Sequence, residues 1–215
     1  MKNTGKKMFF VGAGFLAAFV LWTVFVSLVD IGPIGPNGSR VGFAALNGYV
    51  HDLTGVNLLL YAITDWLGLV PIGVAFGFAI LGLVQWIKRK SLLKVDGCLL
   101  VLGGLYIVVM TVYALFEVVV TNYRPVLIEG CLEASYPSST TMLVMCVMPT
   151  AMMQLRACIK NHVFRRCVLI LIALFTVFMV IGRLMSGVHW LTDIIGGALL
   201  SAGLVIIYAT VSAHK

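Results

Sequence analysis

Charge is scarce in this chain, acidic charge most of all. Of 215 residues only 11% are charged, with eight Asp or Glu against fifteen Lys or Arg. A soluble domain is about 25% charged and roughly 45–50% apolar. Here the apolar share is 61% and the mean hydropathy +1.07. A cytosolic enzyme or a disordered tail is excluded, because neither hides so much apolar side chain from water. The cysteines number five, odd and thinly spread, which excludes a disulfide-stapled secreted module. There is no internal repeat, no low-complexity tract and no His/Cys/carboxylate cluster with metal-ligand spacing, so no cofactor or metal is expected. The formal charge of +7 invites a nucleic-acid reading, which the placement of the charges removes.

What is abundant is long apolar sequence. Six stretches stand out, near Met8–Leu28, Leu67–Ile87, Gly97–Val120, Ser138–Leu155, Cys167–Ile181 (continuing to Met185) and Ile194–Val211. Each approaches the length of about 20 residues that crosses a bilayer as a helix. The first follows Lys2, Lys6 and Lys7 but stays apolar beyond the roughly 7–15 residues of a signal-peptide core, with no small-x-small cleavage site. It reads as a retained span. Twelve of the fifteen basic residues fall in alternate connections: Lys2, Lys6, Lys7; Lys88, Arg89, Lys90, Lys94; Arg156, Lys160, Arg165, Arg166; and Lys215. The excess of Lys and Arg on cytoplasmic loops puts both termini inside. The expected fold class is therefore all-α: a polytopic membrane protein, a single domain over 1–215, six transmembrane helices, both termini cytoplasmic and the active site at the outer face. The glycines within spans (Gly12, Gly14, Gly73, Gly77, Gly82, Gly103, Gly104) are expected to permit close helix packing. Trp22, Trp66, Trp86 and Trp190 read as interfacial aromatics. The first outer segment, about Val29–Asp65, is long; Ile31–Gly38 is dense in turn formers and is expected to be irregular, with a short surface helix expected over Ala44–Leu53.

Three basic residues lack a topological reason: Arg40, Arg124 and Arg183. Ionisable groups at membrane depth are costly and mark sites. Four outer pieces stand out, and two of them carry Arg124 and Arg183. They are Asn122-Tyr123-Arg124-Pro125 after the third span, Tyr136-Pro137-Ser138-Ser139-Thr140-Thr141 opening the fourth, Gly182-Arg183 ending the fifth, and His189-Trp190-Leu191-Thr192-Asp193 opening the sixth. His189 and Asp193, spaced i, i+4, share a helix face. A carboxylate beside an imidazole fixes its tautomer, and histidine can act as a covalent nucleophile. Arginine forks suit phosphate oxygens, and a helix opening at Pro137-Ser138 offers free N–H groups to an anion. The combination describes a phosphate pocket with a histidine aimed into it.

The order and spacing of these pieces resemble the type 2 phosphatidic acid phosphatase family, integral-membrane lipid phosphatases related to vanadium haloperoxidases. Its third motif is Ser-Arg, five residues, His, three residues, Asp; Gly182-Arg183, His189 and Asp193 match all but the serine. Its first motif is Lys, six residues, Arg-Pro; Arg124-Pro125 match, while Glu117 takes the lysine position. Its second is Pro-Ser-Gly-His; Pro137-Ser138 match, while Ser139 and Thr140 replace the last two. The motif region spans 117–197. The resemblance implies that His189 attacks phosphorus to form a phosphohistidine, with Asp193 orienting it. It implies that Arg124, Arg183, Ser138 and Ser139 hold the phosphate, in a group extending to Thr140, Tyr123 and Glu117, and that no metal takes part.

The departures bear on the substrate. The family histidine lost at Thr140 protonates the leaving group. An alkoxide's conjugate acid has a pKa of about 16, like water, against about 6 for the second ionisation of a phosphate monoester. A missing acid therefore favours a leaving group that is itself a phosphate, such as that of a polyprenyl pyrophosphate on the outer leaflet. Glu117, Glu129, Glu133 and His51 are candidate substitutes, and Glu117 could instead neutralise Arg124. The expected activity is hydrolysis of a lipid phosphate or, preferred, of a polyprenyl pyrophosphate. The expected partners are that lipid and the bilayer, in a plasma membrane of bacterial type, with no nucleic acid. Two rivals stay open: a non-hydrolytic relative that binds or moves phospholipid, and an anion-binding membrane transporter.

Overall fold

The computed structural model describes residues 2–213; Lys215, the last of the basic residues assigned to the inner side, lies outside them. The described residues form eight α-helices in sequence: α1 (Lys2–Leu28), α2 (Ala44–Thr54), α3 (Leu58–Leu67), α4 (Leu69–Arg89), α5 (Gly97–Val118), α6 (Ser139–Cys158), α7 (His162–Met185) and α8 (Leu191–Ser212). Among the described residues there are six helical segments long and apolar enough to cross a membrane. A helix satisfies its interior backbone polar groups within itself, as lipid requires. The outer faces of these segments are apolar and exposed, with Phe10, Phe76, Ile107 and Leu171 each more than 60% accessible.

The second span differs from its expected bounds. Leu58–Arg89 forms it as two consecutive helices, α3 and α4, with Gly68 between them. Leu58–Asp65, inside the segment expected to be the first outer loop, is helical. Asn57 caps α3, its side-chain oxygen accepting the Leu60 N–H at 2.9 Å. The short helix expected at Ala44–Leu53 is α2, one residue longer.

α6 and α8 are the most buried spans and sit together at the centre, α8 packed along α1, α6 against α7. Small residues allow this, at positions other than those expected. A Cβ on Gly203 would lie 2.7 Å from Leu16 Cδ2 and 3.1 Å from the Gly12 carbonyl oxygen; one on Gly196 would lie 2.7–2.8 Å from the Tyr136 ring. Of the seven span glycines picked out from sequence only Gly12 makes such an approach; the other six face open space. Two tryptophans also depart from the interfacial reading. Trp22 donates its indole N–H to the Thr192 carbonyl at 3.1 Å, and the buried Trp190 donates to the Tyr123 carbonyl at 2.7 Å. Both brace the end of α8. Under that end, Tyr136 stacks on Phe19, meets Phe116 edge-on and hydrogen-bonds Thr23 at 2.7 Å. The first and last spans and the α5–α6 connection thereby close one core.

Candidate active site

One end of the bundle gathers the polar residues. Arg183 closes the last turn of α7, and the chain turns through Ser186–Gly187 to deliver His189 just before α8. Gly187 has φ +68° and its α-carbon is pressed against the Gly55 carbonyl, so both conformation and space demand glycine. The Asn57 N–H donates to the Ser186 carbonyl at 3.0 Å and pins the turn to the start of α3.

Asp193 is fully buried in the first turn of α8. Its Oδ2 accepts the Trp190 N–H at 2.9 Å, and its Oδ1 lies 3.4 Å from Asn122 Nδ2. A carboxylate here satisfies a free N-terminal donor and complements the helix dipole. The His189 Nδ1 to Asp193 Oδ2 distance is 3.6 Å, a facing pair longer than a hydrogen bond.

His189 is buried, with Nε2 at 3.4 Å from Arg124 Nη1 and 3.4 Å from Arg183 Nη2. Guanidinium groups have only N–H to offer. Nε2 is therefore the unprotonated nitrogen, and the ring proton sits on Nδ1, facing Asp193. Burial first, then the Arg124 and Arg183 charges, holds the His189 pKa well below 6.5, against a smaller opposing pull from the Ser135 carbonyl. The ring is neutral at neutral pH.

The two arginines are themselves held. Arg124 pairs with Glu133 at 2.9 Å across the turn that follows α5. Glu133, not Glu117, is its carboxylate partner. Arg183, 1% exposed, reaches Thr64 Oγ1 and Asp65 Oδ1 at 3.5 Å each, with its guanidinium 5.0 Å above the Tyr61 ring. Those three partners are all on α3 and were not singled out from sequence. Their signal was weak, since only Asp65 is charged and α3 itself was read as loop.

The remaining expected residues divide. Ser138 is buried; its N–H donates to the Asp193 carbonyl at 3.1 Å and its Oγ accepts the Thr141 N–H at 3.5 Å, capping α6. Ser139 and Glu117 line a narrow cleft of about 10 Å³ with His189 and Tyr113. Thr140 lines the adjoining groove of about 430 Å³ instead, with Asp65, Leu69 and Leu143; Ser139 and Tyr113 border both. Tyr123 contributes its backbone, accepting from Trp190. Glu129 is exposed at a turn tip with φ +51°, and His51 packs on the outer side of Trp190 with ring centroids 5.4 Å apart. Neither lines the cleft. Asn122, quoted from sequence only as part of the Arg124 piece, proves a structural hub: it accepts the Gly42 N–H at 3.2 Å while facing Asp193. Asn47 does the same for Thr192. A hollow of about 930 Å³ lies between α4 and α5, is walled mostly by apolar side chains and is lined by none of these groups. Among the described residues no three His, Cys, Asp or Glu gather closely enough to hold a metal ion.

Fold and site together define an integral-membrane helical protein whose one end buries a histidine between two arginines. The model of the PAP2 superfamily matches residues 99–215, over half of the chain, and the chain belongs to that family, the one its motifs resemble. Its family and fold are those of membrane lipid phosphatases. The crystal structure of a transmembrane PAP2-type phosphatidylglycerolphosphate phosphatase from Bacillus subtilis is similar, at 21% identity and TM-score 0.51, covering 94% of this chain and 95% of that one. No curated protein matches significantly. The α3 residues that hold Arg183 lie upstream of the family match.

Proposed function

We propose that the chain is a metal-independent phosphohydrolase acting on lipid pyrophosphates through His189. The observation that carries this is His189 Nε2 set at 3.4 Å from two guanidiniums, which can only donate and so leave that nitrogen the acceptor. Phosphate oxygens replace the ring as partners of those N–H groups, which brings phosphorus against the lone pair. Nε2 then forms the N–P bond as the P–O bond to the leaving group breaks, and that oxygen keeps the electron pair. The Nδ1–H stays on the ring, where Asp193 stabilises the positive charge that develops. Water attacks the phosphohistidine, the N–P bond breaks, inorganic phosphate departs and neutral His189 returns.

Leaving-group chemistry sets the substrate preference. Thr140 donates a proton poorly, so a pyrophosphate, whose leaving oxygen belongs to a phosphate, reacts fastest. The groove beside Ser139, with Leu69, Ile72 and Leu143 on its wall, suits the first part of a hydrocarbon chain. The site end is the outer face in this reading, by the distribution of basic residues.

The test is phosphate release by purified protein in EDTA. The substrates are a polyprenyl pyrophosphate, its monophosphate, phosphatidic acid and phosphatidylglycerolphosphate, the substrate named for the structural neighbour. Release abolished by His189→Ala, with acid-labile label trapped on the wild type, supports the mechanism. Equal rates on mono- and pyrophosphates overturn the leaving-group argument. No release from folded protein overturns hydrolysis and favours the non-hydrolytic relative, for which Glu117 at the cleft is the specific indication.

A further inference from the structure

The opposite end of the bundle carries a second basic concavity. α6 runs from Ser139 at the histidine end to Arg156, a rise of about 25 Å along the helix axis. There Arg156 from α6 and His162, Arg165 and Arg166 from the start of α7 line one hollow of about 690 Å³, floored by Met152, Leu169 and Ile170. Basic residues are expected on this side for topological reasons. Topology does not require that three arginines and a histidine, from two helices, face one cavity with an apolar floor.

The charge balance there is one-sided. At the other corner of this end Arg89 is neutralised by Asp96 at 2.7 Å. Among the described residues neither Arg156, Arg165 nor Arg166 has a carboxylate partner. Arg165 spends one donor on His162 Nδ1 at 2.7 Å, which keeps that nitrogen an acceptor, and one on the Ile159 carbonyl at 3.4 Å. Arg156 and Arg166 remain with free forks at the level where a span leaves the hydrocarbon.

We propose that this hollow binds an anionic phospholipid of the inner leaflet, its phosphodiester between Arg156 and Arg166 and the upper acyl chain against Met152, Leu169 and Ile170. Basic pockets between spans on the cytoplasmic side hold anionic headgroups by this combination of charge and apolar wall. The site is independent of the histidine pocket and of any hydrolysis there.

The full chain in neutral detergent tests it, by thermal unfolding with added phosphatidylglycerol, phosphatidylcholine, or inorganic phosphate alone. Phosphatidylglycerol is expected to raise Tm by several degrees, the other two not. R156Q/R166Q abolishes the increment, and R166Q alone, an exposed position, reduces it if the double variant does not fold. K88Q/K90Q, at the other inner corner, and R124Q, at the histidine end, keep it. An increment that survives in folded R156Q/R166Q, that R166Q leaves undiminished, that disappears in R124Q, or that phosphatidylcholine or free phosphate matches, overturns the proposal.

Discussion

Asn122 and Asp193, 71 residues apart, face each other in the buried end of the bundle, with Nδ2 at 3.4 Å from Oδ1. The same amide accepts the Gly42 N–H, so one side chain joins the α1–α2 connection, the α5–α6 connection and α8. It holds the carboxylate that faces the ring of His189.

Asn122→Leu keeps the shape and removes both interactions. Leaving the Gly42 N–H and one carboxylate oxygen unpartnered costs about 1–3 kcal/mol of stability. kcat is expected to fall about tenfold, equivalent to ~1.4 kcal/mol of barrier, with KM nearly unchanged. Steady-state kinetics beside a melting curve check it. A KM effect alone would mean that Asn122 shapes binding rather than Asp193.

The pH profile follows from the direction of the His189 shift. The ring must be neutral to attack, and burial and two cations lower its pKa, so the acid limb of kcat/KM lies below pH 6.5. Arg124→Gln removes one of those cations. The His189 pKa then rises and the limb moves to higher pH, alongside a loss of substrate affinity. A limb that stays put or moves down shows that another group controls it.

Restoring a histidine at 140 tests the leaving-group argument from the opposite direction. A positioned general acid contributes roughly 10²–10⁴-fold. Thr140→His is expected to raise the monophosphate rate relative to the pyrophosphate rate by about tenfold or more, since only the poorer leaving group needs the proton. An unchanged ratio means that another group already serves.

Glycine substitutions separate the real close approaches from the apparent ones. Gly196→Ala drives a methyl into the Tyr136 ring, and overpacking of this kind costs about 1–3 kcal/mol. Gly104→Ala meets nothing within 4 Å and is expected to be neutral or slightly stabilising, since alanine is the better helix former. Thermal unfolding of the two variants in one detergent decides it.

Two exposed cysteines report orientation. Cys131 lies in the α5–α6 connection near the histidine end and Cys158 at the far end of α6. A membrane-impermeant maleimide on intact cells is expected to label Cys131 and to reach Cys158 only after permeabilisation. The reverse pattern would turn the molecule over.

Hydropathy made the six spans legible because lipid imposes one coarse demand on each of them. It failed at α3, where polar residues that serve Arg183 look like loop. Short motifs brought out Arg124, Arg183, His189 and Asp193, which the structure brings together, because their spacing along helix ends survives in one dimension. Asp65, Asn47 and the roles of Trp22 and Trp190 depend on neighbours more than 100 residues away in three of the four cases and 67 in the other, which no local pattern encodes. The span glycines were misjudged for the same reason: a helix face touches lipid or protein only once its partner is known.

The pairing of α1 with α8 has a consequence for how the molecule is made. Synthesis delivers α1 well before α8, which carries its long partner surface, Gly203 included. Through most of translation α1 stands in the membrane without its mate, and Arg124 is inserted before there is a histidine for it to face. The hydrolysis proposed for His189 therefore waits on α8, which carries the Asp193 that faces the ring.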